Sequence, residues 1–224
     1  MVLRETAGGR FLVTQPEHAR LAGELARHWS YARLPSIADQ EFLDAVRLHD
    51  AGWEPLDRRP AFGADGRPVS FLEWPLTSSV EAWRRSIETA GELGPRAAYA
   101  VARHFCLLGR MALPRPLPPD EREALEGFLA EHETHKLDPT LENWTRVLQV
   151  CDLLSLHLIT AGRMNTSLLR NYGIEARFEA ERDCLHLSPC PFDGVLRLEC
   201  AARFLPSDSR TPVAADPLCF TVAC

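Results

Sequence analysis

The sequence predicts a mainly α fold: a helical bundle over residues 1–172, followed by a small β-rich extension over residues 173–224. Three observations carry that expectation. Apolar residues recur at helical spacing from residue 15 to about 162. Helix-start signals precede the periodic runs, as in Thr14-Gln15-Pro16-Glu17, where Thr14 fits an N-cap and Glu17 a capping box. Beyond Tyr172 the texture changes to period-two segments separated by Pro189, Pro191, Gly194, Pro206 and Pro217, which reads as one small antiparallel sheet packed on the bundle.

Taken in order, residues 1–13 form an extended arm or strand whose apolar part is Arg10-Phe11-Leu12-Val13. A first helix follows to about Tyr31, striped by Leu21, Ala22, Leu25 and Trp29, with His18 on the same side as Leu21 and Leu25. After Leu34-Pro35-Ser36 a second helix runs from about Asp39 to Ala51, and Gly52 suits a left-handed terminator. Residues 53–75 are rich in Pro, Gly and Asp yet carry Trp53, Phe62, Phe71 and Trp74, so this loop is expected to fold over the mouth of a site. Thr77-Ser78-Ser79 caps a third helix over about 80–93, and Pro95 opens a fourth through Leu108. A stiff Pro-rich connector, 113–119, leads to a charged helix over 120–135. The most apolar helix, about 139–162, carries Asp152 among Leu148, Cys151, Leu154 and Leu158.

Composition narrows the function. A net charge of −6 lacks the basic stripe that nucleic acid requires. No run reaches the ~18 apolar residues of a membrane span, and Met1-Val2-Leu3-Arg4-Glu5-Thr6 has no signal-peptide core. Seven cysteines without a Cys-x-x-Cys pair read as reduced, mostly buried thiols of a cytoplasmic protein. With Lys136 the only lysine, 24 of the 25 cationic side chains are arginines, which suits bidentate contacts to phosphate or carboxylate.

Polar residues on apolar helical faces single out His18, the pair His49-Asp50, His104 and Asp152. Each alone has a plain structural explanation: a hydrogen-bonded core histidine, or an aspartate turned outward. Together, imidazoles and carboxylates from separate helices can converge on a divalent ion, which offsets the desolvation of all of them.

The order His…His-Asp…Asp resembles the signature of the HD-domain metal-dependent phosphohydrolase superfamily, an all-helical fold. The phrases Gln-Pro-Glu-His, His-Asp-Ala-Gly-Trp, Gly-Arg-Pro-Val-Ser-Phe-Leu, Ala-Arg-His-Phe, Cys-Asp-Leu-Leu-Ser-Leu and Ser-Pro-Cys-Pro-Phe also resemble an uncharacterised bacterial family catalogued as a domain of unknown function. The first resemblance implies an HD-domain-like bundle with His18, His49, Asp50 and Asp152 as metal ligands. It further implies a divalent transition metal (Mn, Fe, Co, Ni or Zn), one or two ions, and hydrolysis of a small phosphate ester or nucleotide by metal-activated water. Asp50 and His104 take the catalytic roles in that reading. His104, Gln15, Trp53, Glu54 and Arg103 are candidates for substrate or second-metal contact, although Arg103 points about 100° away from His104 on a helix. Further phosphate candidates are Arg20, Arg84, Arg85 and Arg163, and His132 with His135 could complete a second metal site, or simply be a solvated helix end. His28, His157 and His186 read as structural or surface residues. The implied partner is a small phosphorylated molecule, with no nucleic acid and no membrane, and the C-terminal β segment is a candidate homodimer contact. Two rival readings stay open: an HD-type di-iron oxygenase, and a degenerate HD module that binds a ligand or partner without catalysis.

Overall fold

The structure is a computed structural model describing residues 1–35, 37–132 and 139–223. The chain opens with a hairpin, β1 (Val2–Thr6) and β2 (Gly9–Val13), and then α1 (Gln15–Arg27). Thr14 caps α1 by accepting the Glu17 N–H at 3.3 Å, and Pro16 sits in its first turn, where the missing N–H costs nothing. The helices α2 (Gln40–Leu48), α3 (Glu54–Asp57), α4 (Leu76–Gly91), α5 (Pro95–Ala112), α6 (Pro119–His132), α7 (Pro139–Ile159) and α8 (Ser167–Asn171) follow. The remaining strands are β3 (Glu175–Glu179), β4 (Cys184–Ser188), β5 (Leu196–Cys200), β6 (Arg203–Pro206), β7 (Val213–Ala214) and β8 (Leu218–Ala223).

This is an α/β fold, which corrects the expectation of a mainly helical, HD-like bundle with one small C-terminal β element. Of the described residues 49% are helical and 19% extended, and the strands form two four-stranded sheets. The first sheet has the order β1-β2-β6-β7, so the N-terminal arm pairs with strands near the other end of the chain. The second has the order β3-β4-β8-β5, with β4 and β8 parallel. A Cβ on Gly9 would stand 2.2 Å from the Leu205 carbonyl oxygen. The close approach of β6 to β2 therefore requires glycine there.

The core is one continuous apolar cluster. Leu21 and Leu25 of α1, Phe42 and Val46 of α2, Phe105 of α5, and Trp144, Leu148 and Leu154 of α7 fill it. Strand β5 alternates buried Leu196, Leu198 and Cys200 with exposed Arg197 and Glu199, so the second sheet closes this core on one face. Under the first sheet lies a smaller cluster of Met1, Leu12 and Leu205, with Phe62 packed on it. Phe62 belongs to the loop expected over the site mouth, and Phe71 of that loop donates its N–H to the Met1 carbonyl at 2.9 Å. The loop is thus tied to the first sheet.

Helix boundaries shift in two informative places. Helix α4 begins at Leu76, which puts Thr77, Ser78 and Ser79 inside it rather than at its cap. Helix α2 ends at Leu48, with His49 its C-cap and Asp50 beyond it, and residues Ala51–Trp53 form a separate 3-10 turn. Gly52 is not among the residues with positive φ. Its Cβ would instead lie 2.0 Å from the Ala82 carbonyl oxygen of α4 and 2.6 Å from Ser86 N. Gly52 is a close-approach glycine, and its own N–H donates to Ser86 Oγ at 3.0 Å.

Five cysteines are free thiols: Cys106, Cys151, Cys184, Cys200 and Cys219. Cys190 is disulfide-bonded, a departure from the all-reduced expectation. Among the described residues no helix is long and apolar enough to cross a membrane.

Candidate metal centre

Four elements deliver side chains to one buried point. Helix α1 presents His18 on its core face, the end of α2 supplies His49 and Asp50, α5 supplies His104, and α7 supplies Asp152. All three histidines are at most 1% exposed, and Asp50 and Asp152 are 5% and 9% exposed. His18 Nε2 stands 3.0 Å from Asp152 Oδ1 and 3.5 Å from Asp50 Oδ2. His49 Nε2 stands 3.5 Å from Asp152 Oδ1 and 3.6 Å from Asp50 Oδ2. His104 Nε2 is 3.7 Å from Asp152 Oδ2.

The far side of each ring decides what these contacts are. Ser155 Oγ donates to the Asp152 carbonyl at 2.8 Å, which uses its one proton, so it accepts from His18 Nδ1–H at 2.7 Å. His49 Nδ1 lies 2.7 Å from the Val46 carbonyl, which can only accept, so this nitrogen is also the protonated one. A neutral ring then turns an Nε2 lone pair toward the carboxylates in both cases. Both Nε2 atoms are buried without a hydrogen-bond partner. Lone pairs facing carboxylate oxygens in a dry interior repel, and a cation between them removes the conflict.

A divalent ion fits that description. Ligand bonds of about 2.1 Å place neighbouring donor atoms roughly 3.0–3.4 Å apart for angles between 90° and tetrahedral. Of the His–Asp separations, the 3.0 Å one is in that range, and those of 3.5, 3.5 and 3.6 Å exceed it by at most a few tenths of an ångström. Two triads, His18/His49/Asp50 and His49/His104/Asp152, each bring their ligand atoms within 4.8 Å of one another.

Without metal, two of these groups, His18 and His49, favour taking up a proton. Burial opposes a charge on His18, but Asp152 and Asp50 outweigh it and raise its pKa to about 9. Burial likewise opposes protonation of His49, and Asp50 and Asp152 again raise it. Burial favours the neutral form of Asp152, yet His18 and His49 hold its carboxyl well below the usual range. For His104 burial wins, lowering its pKa to about 4 despite Asp152.

Gln15, at the start of α1, donates its amide to Asp50 Oδ2 at 3.3 Å, and its Oε1 is buried without a partner. Its backbone N–H donates to Asp57 Oδ2, and Asp57 Oδ1 accepts the Met1 ammonium at 2.7 Å. Trp53 is buried in the turn after the doublet. Glu54 points to solvent and pairs with Arg58 at 3.6 Å, away from the cluster. Arg103 reaches Glu142 of α7 at 3.9 Å. Arg20, Arg84 and Arg85 pair with Glu17, Glu131 and Glu81, and Arg163 is exposed. His132 lies tilted against Phe128 with Nε2 3.6 Å from Glu131 and belongs to neither triad, and His135 lies outside the described residues. His157 bonds the Met164 carbonyl, His186 faces Glu179, and His28 is exposed.

Sequence reasoning passed over Ser155, Asp57 and Ser86. Ser155 lies one turn after Asp152, the one sequence signal that could have marked it. Asp57 was hidden in a Pro- and Asp-rich loop.

Fold and site together define an α/β protein with a buried His/Asp cluster able to hold a metal ion. The chain belongs to the family described as "Protein of unknown function (DUF3891)", whose model matches residues 1–207. No curated protein and no solved structure matches it.

Proposed function

We propose that this protein is a metal-dependent phosphohydrolase in which His18, His49, Asp50 and Asp152 hold one divalent transition-metal ion. The observation that carries the reading is the pair of buried Nε2 atoms, on rings whose Nδ1 is the committed N–H, that face two carboxylates with no hydrogen-bond partner. The mixed N/O donor set suits Mn, Fe, Co, Ni or Zn better than Mg. The order of the ligands along the chain supports the HD-type assignment, here within an α/β fold.

A single ion follows from His49. With Nδ1 committed to Val46, its ring has one lone pair to give, yet both triads need it. The triads are therefore two views of one centre, and among the described residues only His104 remains outside the four ligands. That arrangement favours hydrolysis over a di-iron oxygenase.

When bound, the ion would acidify a water and offset charge building on the phosphoryl group. The protein's own groups do the rest. Asp50, fixed by Gln15, orients the attacking water through its carboxylate. His104, a neutral imidazole with Nε2 3.7 Å from Asp152 Oδ2, would hydrogen-bond the leaving oxygen through Nε2–H, while the proton that the leaving oxygen takes up is the one the attacking water gives up. Burial of the cluster excludes bulk water.

The test is hydrolysis of a panel of phosphate monoesters and nucleotides by protein loaded separately with Mn, Fe, Co, Ni and Zn. Turnover lost in Asp50→Asn is the expected result. Metal-loaded protein with no turnover on any phosphate ester would overturn the reading.

A further inference from the structure

Two of the ligands come from helices far apart in sequence, yet one hydroxyl ties them together. Ser155 is fully buried on α7, one turn beyond Asp152. Its hydroxyl donates to the Asp152 carbonyl at 2.8 Å and accepts from His18 Nδ1–H at 2.7 Å, a contact spanning 137 residues. The direction of the first bond is forced, because a carbonyl only accepts, and the hydroxyl has a single proton. The second bond must then run from the ring to the oxygen.

The geometry points to Ser155 as the positioning residue of the centre: it sets which nitrogen of His18 can take a metal. Rotating the hydroxyl toward His18 would break its bond to Asp152 and set its proton against the ring N–H. The Nε2-protonated tautomer would point a proton where the ion belongs and leave Nδ1 without a donor. Both alternatives are penalised in a dry interior, where an unmet polar group costs most. Partners that fix a ligating histidine from behind typically govern affinity by about 10- to 100-fold. His49 has a backbone acceptor, which no side-chain substitution removes. His18 depends on one serine, so the metal centre has a single point at which side-chain chemistry sets the ligand tautomer. This inference rests on the metal reading above, and its test separates the two.

The experiment compares wild type, Ser155→Ala and Thr145→Val. Thr145 is the control: it is equally buried on α7, nearly three turns before Ser155, and its hydroxyl bonds only the Leu141 carbonyl, at 3.1 Å. Zinc dissociation constants are measured by competition with a chelating indicator. In parallel, ¹⁵N-histidine NMR reads the protonation of each His18 nitrogen, with and without zinc. Expected are zinc binding weakened about 10- to 100-fold in Ser155→Ala but unchanged in Thr145→Val. A slowly exchanging His18 Nδ1–H should be present in wild type and lost in Ser155→Ala. Zinc affinity within twofold of wild type in Ser155→Ala would overturn the inference. If wild type takes up no zinc, the metal reading fails, and the NMR of the metal-free proteins decides the role of Ser155. An Nδ1–H that exchanges equally fast in all three proteins would then refute it.

Discussion

Replacing Gly52 tests how the doublet is held. A Cβ at this position would stand 2.0 Å from the Ala82 carbonyl oxygen, where ordinary contact begins at 3.4 Å, a shortfall of 1.4 Å against backbone. Helix α4 must retreat by that amount or the Ala51–Trp53 turn must lift off it. Overpacking of this kind costs about 1–3 kcal/mol. The move also breaks the buried bond from Gly52 N–H to Ser86 Oγ, adding about 1–3 kcal/mol for the stranded donor. For a chain of this size the sum lowers the melting temperature by on the order of 10 °C. Gly52→Ala and Gly52→Asn should be melted side by side with wild type in a calorimeter. A left-handed cap would tolerate Asn far better than Ala, because Asn visits positive φ readily. The close approach predicts that Asn is at least as damaging as Ala, and that both weaken metal uptake by displacing His49 and Asp50. A Gly52→Asn protein melting within a degree or two of wild type would refute this reasoning.

Three further outcomes are expected. Because metal-free His18 holds a proton up to about pH 9, and ligation needs its Nε2 bare, metal affinity should climb about tenfold per pH unit for each proton displaced, and level off above about 9. That proton stabilises the metal-free fold below the unfolded histidine range, and the benefit is lost as pH rises through 9, so competition titrations at pH 7, 8 and 9 read the sign directly. His104→Ala should keep its metal content while hydrolysis falls about 100-fold or more, and unchanged turnover would remove His104 from the chemistry. Chelation should lower the melting temperature, since at a thousandfold excess over Kd a bound ion contributes about 4 kcal/mol, and re-addition should restore it.

What the sequence disclosed follows from what a local pattern can carry. His18 and Asp152 were visible because polar groups at 3.6-residue spacing on apolar faces are anomalies, and His49-Asp50 because two such groups were adjacent. The C-terminal strands announced themselves by alternation, as in Leu196 through Cys200. The pairing of β2 with β6 was not legible, since register between segments about 190 residues apart leaves no local mark, and so the first sheet was missed. Gly52 was misread for a related reason: a terminator and a close-approach glycine look identical until α4 is seen against it. Ser155 looks like any mid-helix serine until its proton is counted.

The most direct test is elemental analysis of protein purified without chelator, wild type beside the His49→Ala/Asp50→Ala double mutant. One transition-metal ion per chain in the wild type, absent from the double mutant, is the predicted result. Metal-free wild type that takes up none of Mn, Fe, Co, Ni or Zn on reconstitution would contradict it, and would leave the cluster as a proton-bridged structural core.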